Sequence, residues 1–133
     1  MWLSERAAAR PSGGVRAEVG IVTIGGKETA VLLDGEYRAL GCVAPGGIGW
    51  RPRVGDEVLV LETGDGERWI LGQAGGGFDS LRDGELCFRC GNCWLRIEGN
   101  SISAEGDWHI NGDVYITGRL FLNGVEIVPE EDA

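Results

Sequence analysis

Gly106-Asp107-Trp108-His109-Ile110-Asn111, Gly112-Asp113-Val114-Tyr115-Ile116-Thr117 and Gly118-Arg119-Leu120-Phe121-Leu122-Asn123 follow one another without interruption. Each segment opens on glycine and is six residues long. Six is even, and side chains of an extended chain alternate with period two, so each column keeps its facing between segments. One face then carries Trp108, Ile110, Val114, Ile116, Leu120 and Leu122, all apolar. The other carries Asp107, His109, Asn111, Asp113, Tyr115, Thr117, Arg119, Phe121 and Asn123. Turns this regular indicate stacked short strands.

The glycine series extends in both directions. It runs 84, 91, 99, 106, 112, 118 and 124, with spacings of 7, 8, 7, 6, 6 and 6 residues. Gly91-Asn92 is a two-residue hairpin signal. Folding about it places Leu86, Phe88, Cys90, Cys93, Leu95 and Ile97 on one face and Cys87, Arg89, Trp94 and Arg96 on the other. Leu86, Phe88, Leu95 and Ile97 are therefore the expected hairpin core. Asn123-Gly124 passes the same test, pairing Leu122 with Val125 and Leu120 with Ile127. Asn111-Gly112 fails it, because Ile110 would face Asp113. The middle segments are expected to be steps of a helical ribbon and the last Asn-Gly a closing hairpin.

Such a ribbon has one apolar face and no helix in the sequence to cover it. Burying each of its six large side chains would contribute roughly 1.5–3 kcal/mol. Left wet, they would form a large apolar patch beside open strand edges. Self-association about a common axis removes both problems. Trp108, Ile110, Val114, Ile116, Leu120 and Leu122 are thus the expected core of the assembly.

Upstream, residues 15–73 read as about five strands. Val15 to Ile24, Thr29 to Leu33, Tyr37 to Val43, Glu57 to Glu62 and Arg68 to Leu71 are separated by glycine-bearing turns and by a Gly/Pro-rich loop at 44–53. Five short strands with one long loop suit a small closed barrel such as an OB-fold. The expected organisation is a leader at 1–14, a barrel at 15–73, a Gly-rich bridge at 74–83, the repeat region at 84–129 and an acidic tail at 130–133. The fold class is all-β.

Composition narrows the function. The 133 residues include 24 glycines and 4 prolines, and 43% are apolar, enough for a packed core. The net charge of −9 disfavours phosphate backbones, so nucleic acid is not an expected partner. The N-terminal stretch has no secretory pattern. Synthesis in the cytoplasm without a signal peptide is expected.

Cys87, Cys90 and Cys93 form a C-x2-C-x2-C run, a spacing seen around zinc and iron–sulfur clusters. The hairpin parity turns Cys87 away from the other two, and no fourth ligand lies nearby. Buried thiols are the simpler expectation. His109, the sole histidine, falls in the outward column. Only with the register inverted would three copies converge on an axis to bind a metal or anion. No cofactor and no metal are expected. One histidine outside a cleft makes no catalytic triad, and Gly75-Gly76-Gly77 lacks the lysine of a phosphate loop. The chain is not expected to be an enzyme.

Pro52-Arg53-Val54-Gly55-Asp56-Glu57-Val58-Leu59-Val60-Leu61, then Trp69-Ile70-Leu71-Gly72-Gln73, then Asp83-Gly84-Glu85-Leu86 and the repeats from Ile110 to Gly118 occur in that order. In this the chain resembles the baseplate assembly protein V and central spike proteins of contractile phage tails and related injection machines. The resemblance covers about residues 15–128. It implies an OB-fold barrel followed by an intertwined trimeric β-helix. It further implies a homotrimer beneath the tail tube that punctures a target cell envelope, within a phage tail or an extracellular tail-like particle. Implied partners are tail tube or baseplate hub proteins, a separate tip-capping protein, and transiently the target envelope. Some relatives insert a lysozyme domain between barrel and β-helix, and the ten-residue bridge leaves no room for one. Some bind iron at the tip through His-X-His, which a single histidine cannot supply.

Two other readings compete. An OB-fold module binding nucleic acid or carbohydrate needs a basic, aromatic groove, for which Trp50, Arg51 and Arg53 are the candidates. A hexapeptide-repeat acyltransferase shares the period of six, but needs more turns and a catalytic histidine in a cleft.

Overall fold

The computed structural model describes residues 14–130. The expected leader, apart from Gly14, and the last three residues of the expected acidic tail lie outside them. Among the described residues the chain is all-β, with eleven strands and no helix. It divides into two compact units, Met1–Ser80 and Leu81–Ala133.

Unit 1 contains β1 (Arg16–Ile24), β2 (Ala30–Leu32), β3 (Glu36–Tyr37), β4 (Gly41–Cys42), β5 (Glu57–Glu62) and β6 (Arg68–Gln73). They form one six-stranded sheet in the order β3-β2-β1-β5-β6-β4. Every pair is antiparallel except β4 with β6, which is parallel. The outermost strands β3 and β4 are consecutive in the chain, with residues 38–40 between them. Four Cα steps span at most about 14 Å. The sheet must therefore curl until its two edges meet at this segment.

The single strand expected over Tyr37 to Val43 is thus two short ones. Ala39 between them has φ of 58°, a left-handed conformation that L-residues rarely adopt. The break turns Leu40 inward, where only 6% of it is exposed, and lets its N–H donate to the Thr29 carbonyl at 3.0 Å. Beyond it, Gly41 lies against the Trp69 ring, and a Cβ there would come within 2.6 Å of Trp69 Cζ3.

Alternation on β1 and β5 builds the core. Val22, Val31, Leu40, Val58, Val60 and Ile70 are buried together, with Leu33 and Tyr37 packed against them. Tyr37 also ties the sheet edge down. Its hydroxyl donates to Asp34 Oδ1 at 2.6 Å, and the Arg68 guanidinium stacks 3.7 Å from its ring centroid. Arg68 in turn pairs with Glu62 at 3.4 Å. The Arg53–Asp56 turn fixes β5 against β1. Asp56 Oδ2 accepts from the Arg53 N–H at 2.8 Å, and Gly55 N–H donates to the Val22 carbonyl at 2.8 Å.

Unit 2 contains β7 (Leu86–Cys90), β8 (Cys93–Glu98), β9 (Ser101–Glu105), β10 (Leu120–Leu122) and β11 (Val125–Ile127). β7, β8 and β9 form an antiparallel meander. The Gly91-Asn92 hairpin pairs Leu86 with Ile97, Phe88 with Leu95 and Cys90 with Cys93. The β10–β11 hairpin pairs Leu120 with Ile127 and Leu122 with Val125. Asn123 and Gly124 both have positive φ, 50° and 79°, as a type I′ turn requires.

Candidate functional site

The six-residue segments between the two hairpin sheets are where unit 2 departs from an ordinary domain. No strand ladder includes residues 106–119, and from Ala104 to Glu130 every described residue is exposed. The chain is nonetheless regular there. Gly106, Gly112 and Gly118 have φ of 124°, 141° and 126°. Backbone in that region is open essentially to glycine alone. The period of six is therefore a repeat of conformation and not only of composition.

Within a single chain, all six residues expected at the assembly core are exposed. Trp108 is 65% exposed and Ile116 54%, with Ile110, Val114, Leu120 and Leu122 comparable. Of the expected hairpin core, Leu86 and Phe88 are exposed and Leu95 and Ile97 half-buried. The third strand extends this face, because Ile97 pairs with Ile102 and Leu95 with Ala104. Neither Ile102 nor Ala104 follows from folding about Gly91-Asn92 alone. The signal was present in Gly99-Asn100, a second turn of the same type, and in the parity of the chain. Every even position from Ile102 through Ala104, Gly106, Trp108, Ile110, Gly112, Val114, Ile116, Gly118 and Leu120 to Leu122 is apolar or glycine. One alternation runs unbroken through strand and ribbon alike.

The opposite face carries polar contacts. Trp94 Nε1 donates to Glu105 Oε2 at 3.0 Å across the Trp94–Glu105 pair. The Tyr115 hydroxyl donates to Asp113 Oδ2 at 3.3 Å. Glu85 Oε1 accepts from the Arg82 N–H at 2.7 Å, which holds its carboxyl below the usual range. His109 is exposed.

Cys90 and Cys93 face one another across the hairpin, while Cys87 pairs with Arg96 three positions along, on the alternate face. All three are free thiols, as is Cys42, but they are not the buried thiols expected: Cys90 and Cys93 are exposed and Cys87 is half-buried, because among the described residues nothing within the chain packs over the hairpin. Among the described residues no group of three or more His, Cys, Asp or Glu side chains is placed to hold a metal ion. Trp50, Arg51 and Arg53 lie on the long loop of unit 1 and are exposed. Among the described residues no helix is long and apolar enough to cross a membrane.

Taken together, the even positions of unit 2 from Ile102 to Leu122 are apolar or glycine, and every one of them is exposed among the described residues. Such a surface can associate, and the recurring glycines hold it in a shape that repeats along the chain. Comparison of the chain with family models, curated proteins and solved structures gives no match.

Proposed function

We propose that the chain is a structural protein, the central spike of a contractile phage tail or phage-tail-like injection machine. It would cap the tail tube at the baseplate as a homotrimer and puncture the target cell envelope. The observation that carries this reading is the region from Ala104 to Glu130, fully exposed in one chain yet apolar along one face and conformationally periodic. A single chain cannot keep that face dry, and copies wound about one axis can.

The strand order of unit 1 supports the same reading. If β3 and β4 are taken as one interrupted strand, the order becomes that of a five-stranded closed barrel with one parallel closing pair. That order agrees with an OB-fold, a five-stranded Greek-key barrel. The spike reading then joins an OB-fold barrel to an intertwined trimeric β-helix. Its partners are tail tube or baseplate hub proteins, a tip-capping protein and, transiently, the target envelope. It needs neither catalytic residues nor a cofactor, and it places the working protein in a tail or tail-like particle.

An affinity tag on the chain in the producing cell provides the test. Tagged protein should co-purify with sheathed tubular particles and label one end of the tube. Tagged protein that stays free of such particles would overturn the reading. The exposed Trp50 with Arg51 and Arg53 favours the rival, a nucleic-acid or carbohydrate module, which oligonucleotide or glycan retention on the full chain would support.

A further inference from the structure

Six apolar side chains form the buried core of unit 1, yet the outward face of its sheet is apolar as well. Ala17, Val19 and Ile21 on β1, Leu32 on β2 and Leu59 and Leu61 on β5 alternate with the buried residues and point away from them. The pairs Val19–Leu59, Ala17–Leu61 and Ile21–Leu32 set them side by side. Val19 is 56% exposed and Leu32 48%. An antiparallel sheet with one solvated face reads as apolar in and polar out, and β1 and β5 do not. Beside this lattice sits Glu57, opposite Ile21, exposed and with no ion pair among the described residues.

A second surface of unit 1 has the complementary character. Residues 37–55 contain three arginines and no carboxylate, in a chain of net charge −9. Val43, Ile48, Trp50 and Val54 are exposed there. Arg51 and Arg53 are exposed too, and among the described residues neither makes an ion pair. The loop is pinned at intervals. Val43 N–H donates to the Ile70 carbonyl at 2.9 Å and Ile48 N–H to the Pro45 carbonyl at 3.0 Å, and Gly55 and Asp56 close its far end.

We propose that the outward face of β1, β2 and β5 is covered by the 43–55 loop of a second copy of this chain. The inference rests on the homotrimer reading. Each surface supplies what the other lacks: an apolar lattice with a free carboxylate, and an apolar loop with two free guanidiniums. Trp and Arg are the residue types that carry most interface energy. The aliphatic Val43, Ile48 and Val54 have no use against phosphates, and the chain's net charge opposes both nucleic acid and anionic lipid. A loop-to-face contact is head-to-tail, so it closes into a ring when the rotation fits the copy number. Assembly through residues 84–129 holds the copies on short tethers, at effective concentrations on the order of millimolar.

The test places the photo-crosslinking residue p-benzoyl-phenylalanine at Trp50 in the full chain, with the native mass measured on the same sample. The expected result is a mass of three chains and a covalent two-chain product joining position 50 to a peptide within 16–24, 30–32 or 57–62. Arg51→Glu with Arg53→Glu, or Glu57→Arg alone, should lower that product several-fold, and combining all three should restore much of it. A mass of three chains with no two-chain product, or one joined elsewhere, overturns this interface and leaves the homotrimer standing. A mass of one chain overturns the homotrimer itself, and the interface with it.

Discussion

Unit 1 and unit 2 are built from similar materials and reach opposite outcomes. Both are short glycine-punctuated strands with alternating apolar side chains. In unit 1 the sheet curls until β3 and β4 lie on one short segment, and six apolar side chains meet inside it. In unit 2 the hairpins lie in two separate small sheets, and not one described residue is buried. The difference is topological. A sheet whose edges are joined by the chain can fold onto itself, while segments advancing along the chain in equal steps of even length present the same face at every step. Alternation therefore creates an apolar face in both units, but only connectivity determines whether one chain can cover it.

The sharpest way to break this contrast is a charge on the uncovered face. Ile116→Asp should abolish assembly through the repeats, because each copy would bring a carboxylate to the shared core, where desolvation costs several kcal/mol. Protonation offsets part of that cost, so the defect should be milder in acid. Tyr115→Asp, on the opposite face, should leave the oligomer intact by light scattering. The reverse result would put the His109-Tyr115-Phe121 column inside and make a threefold histidine cluster the better hypothesis.

A cavity in unit 1 should do the converse. Ile70 is fully buried, and Ile70→Ala should destabilise unit 1 by about 2–5 kcal/mol. Chemical denaturation followed by tryptophan fluorescence would measure it, and the copy number held by the repeats should not change. If the oligomer dissociates instead, the two units do not hold themselves together by separate means.

A smaller effect is expected at the repeat turns. Gly112 has φ of 141° and open space where a Cβ would sit. Within one chain Gly112→Ala should therefore cost backbone strain without a clash, about 1–3 kcal/mol. Thermal melting should register it, and Asn111→Ala beside it should cost less. Equal losses would mean that the glycine conformation is not what maintains the repeat.

The smallest effect belongs to the sheet edge of unit 1. The Tyr37 hydroxyl, donating to Asp34, holds that carboxyl below its ordinary range, and the same bond raises the Tyr37 hydroxyl above its own. A lowered carboxylate contributes stability above its unfolded value and loses it as pH falls through the folded one. A raised tyrosine contributes below its unfolded value and loses it as pH rises through the folded one. Tyr37→Phe should thus lower the melting temperature slightly near neutrality. The gap from the parent should narrow toward strong acid and strong alkali, and a gap independent of pH would assign the loss to packing.

Much of this was readable from residue order. The registers at Gly91-Asn92 and Asn123-Gly124 follow from asking which fold puts all apolar residues on one face. β9 does not follow from that test, because Gly99-Asn100 reads as one more evenly spaced glycine unless the chain is folded about it in its own right. The break at Ala39 left no trace, since nothing in an alanine announces a left-handed backbone. It is imposed by Leu40 turning into the core, a tertiary demand. The apolar outward face of β1 and β5 was half visible in the near-continuous run from Glu57 to Glu62, which reads equally as a strand buried on both sides. Copy number is not written in the period at all. Alternation says that a face must be covered, not by how many chains.

Sedimentation equilibrium of the intact chain at micromolar concentration bears most directly on whether the repeat face is covered by other copies. The expected result is a single species with the mass of three chains. A species with the mass of one chain, unchanged on concentration, would contradict it.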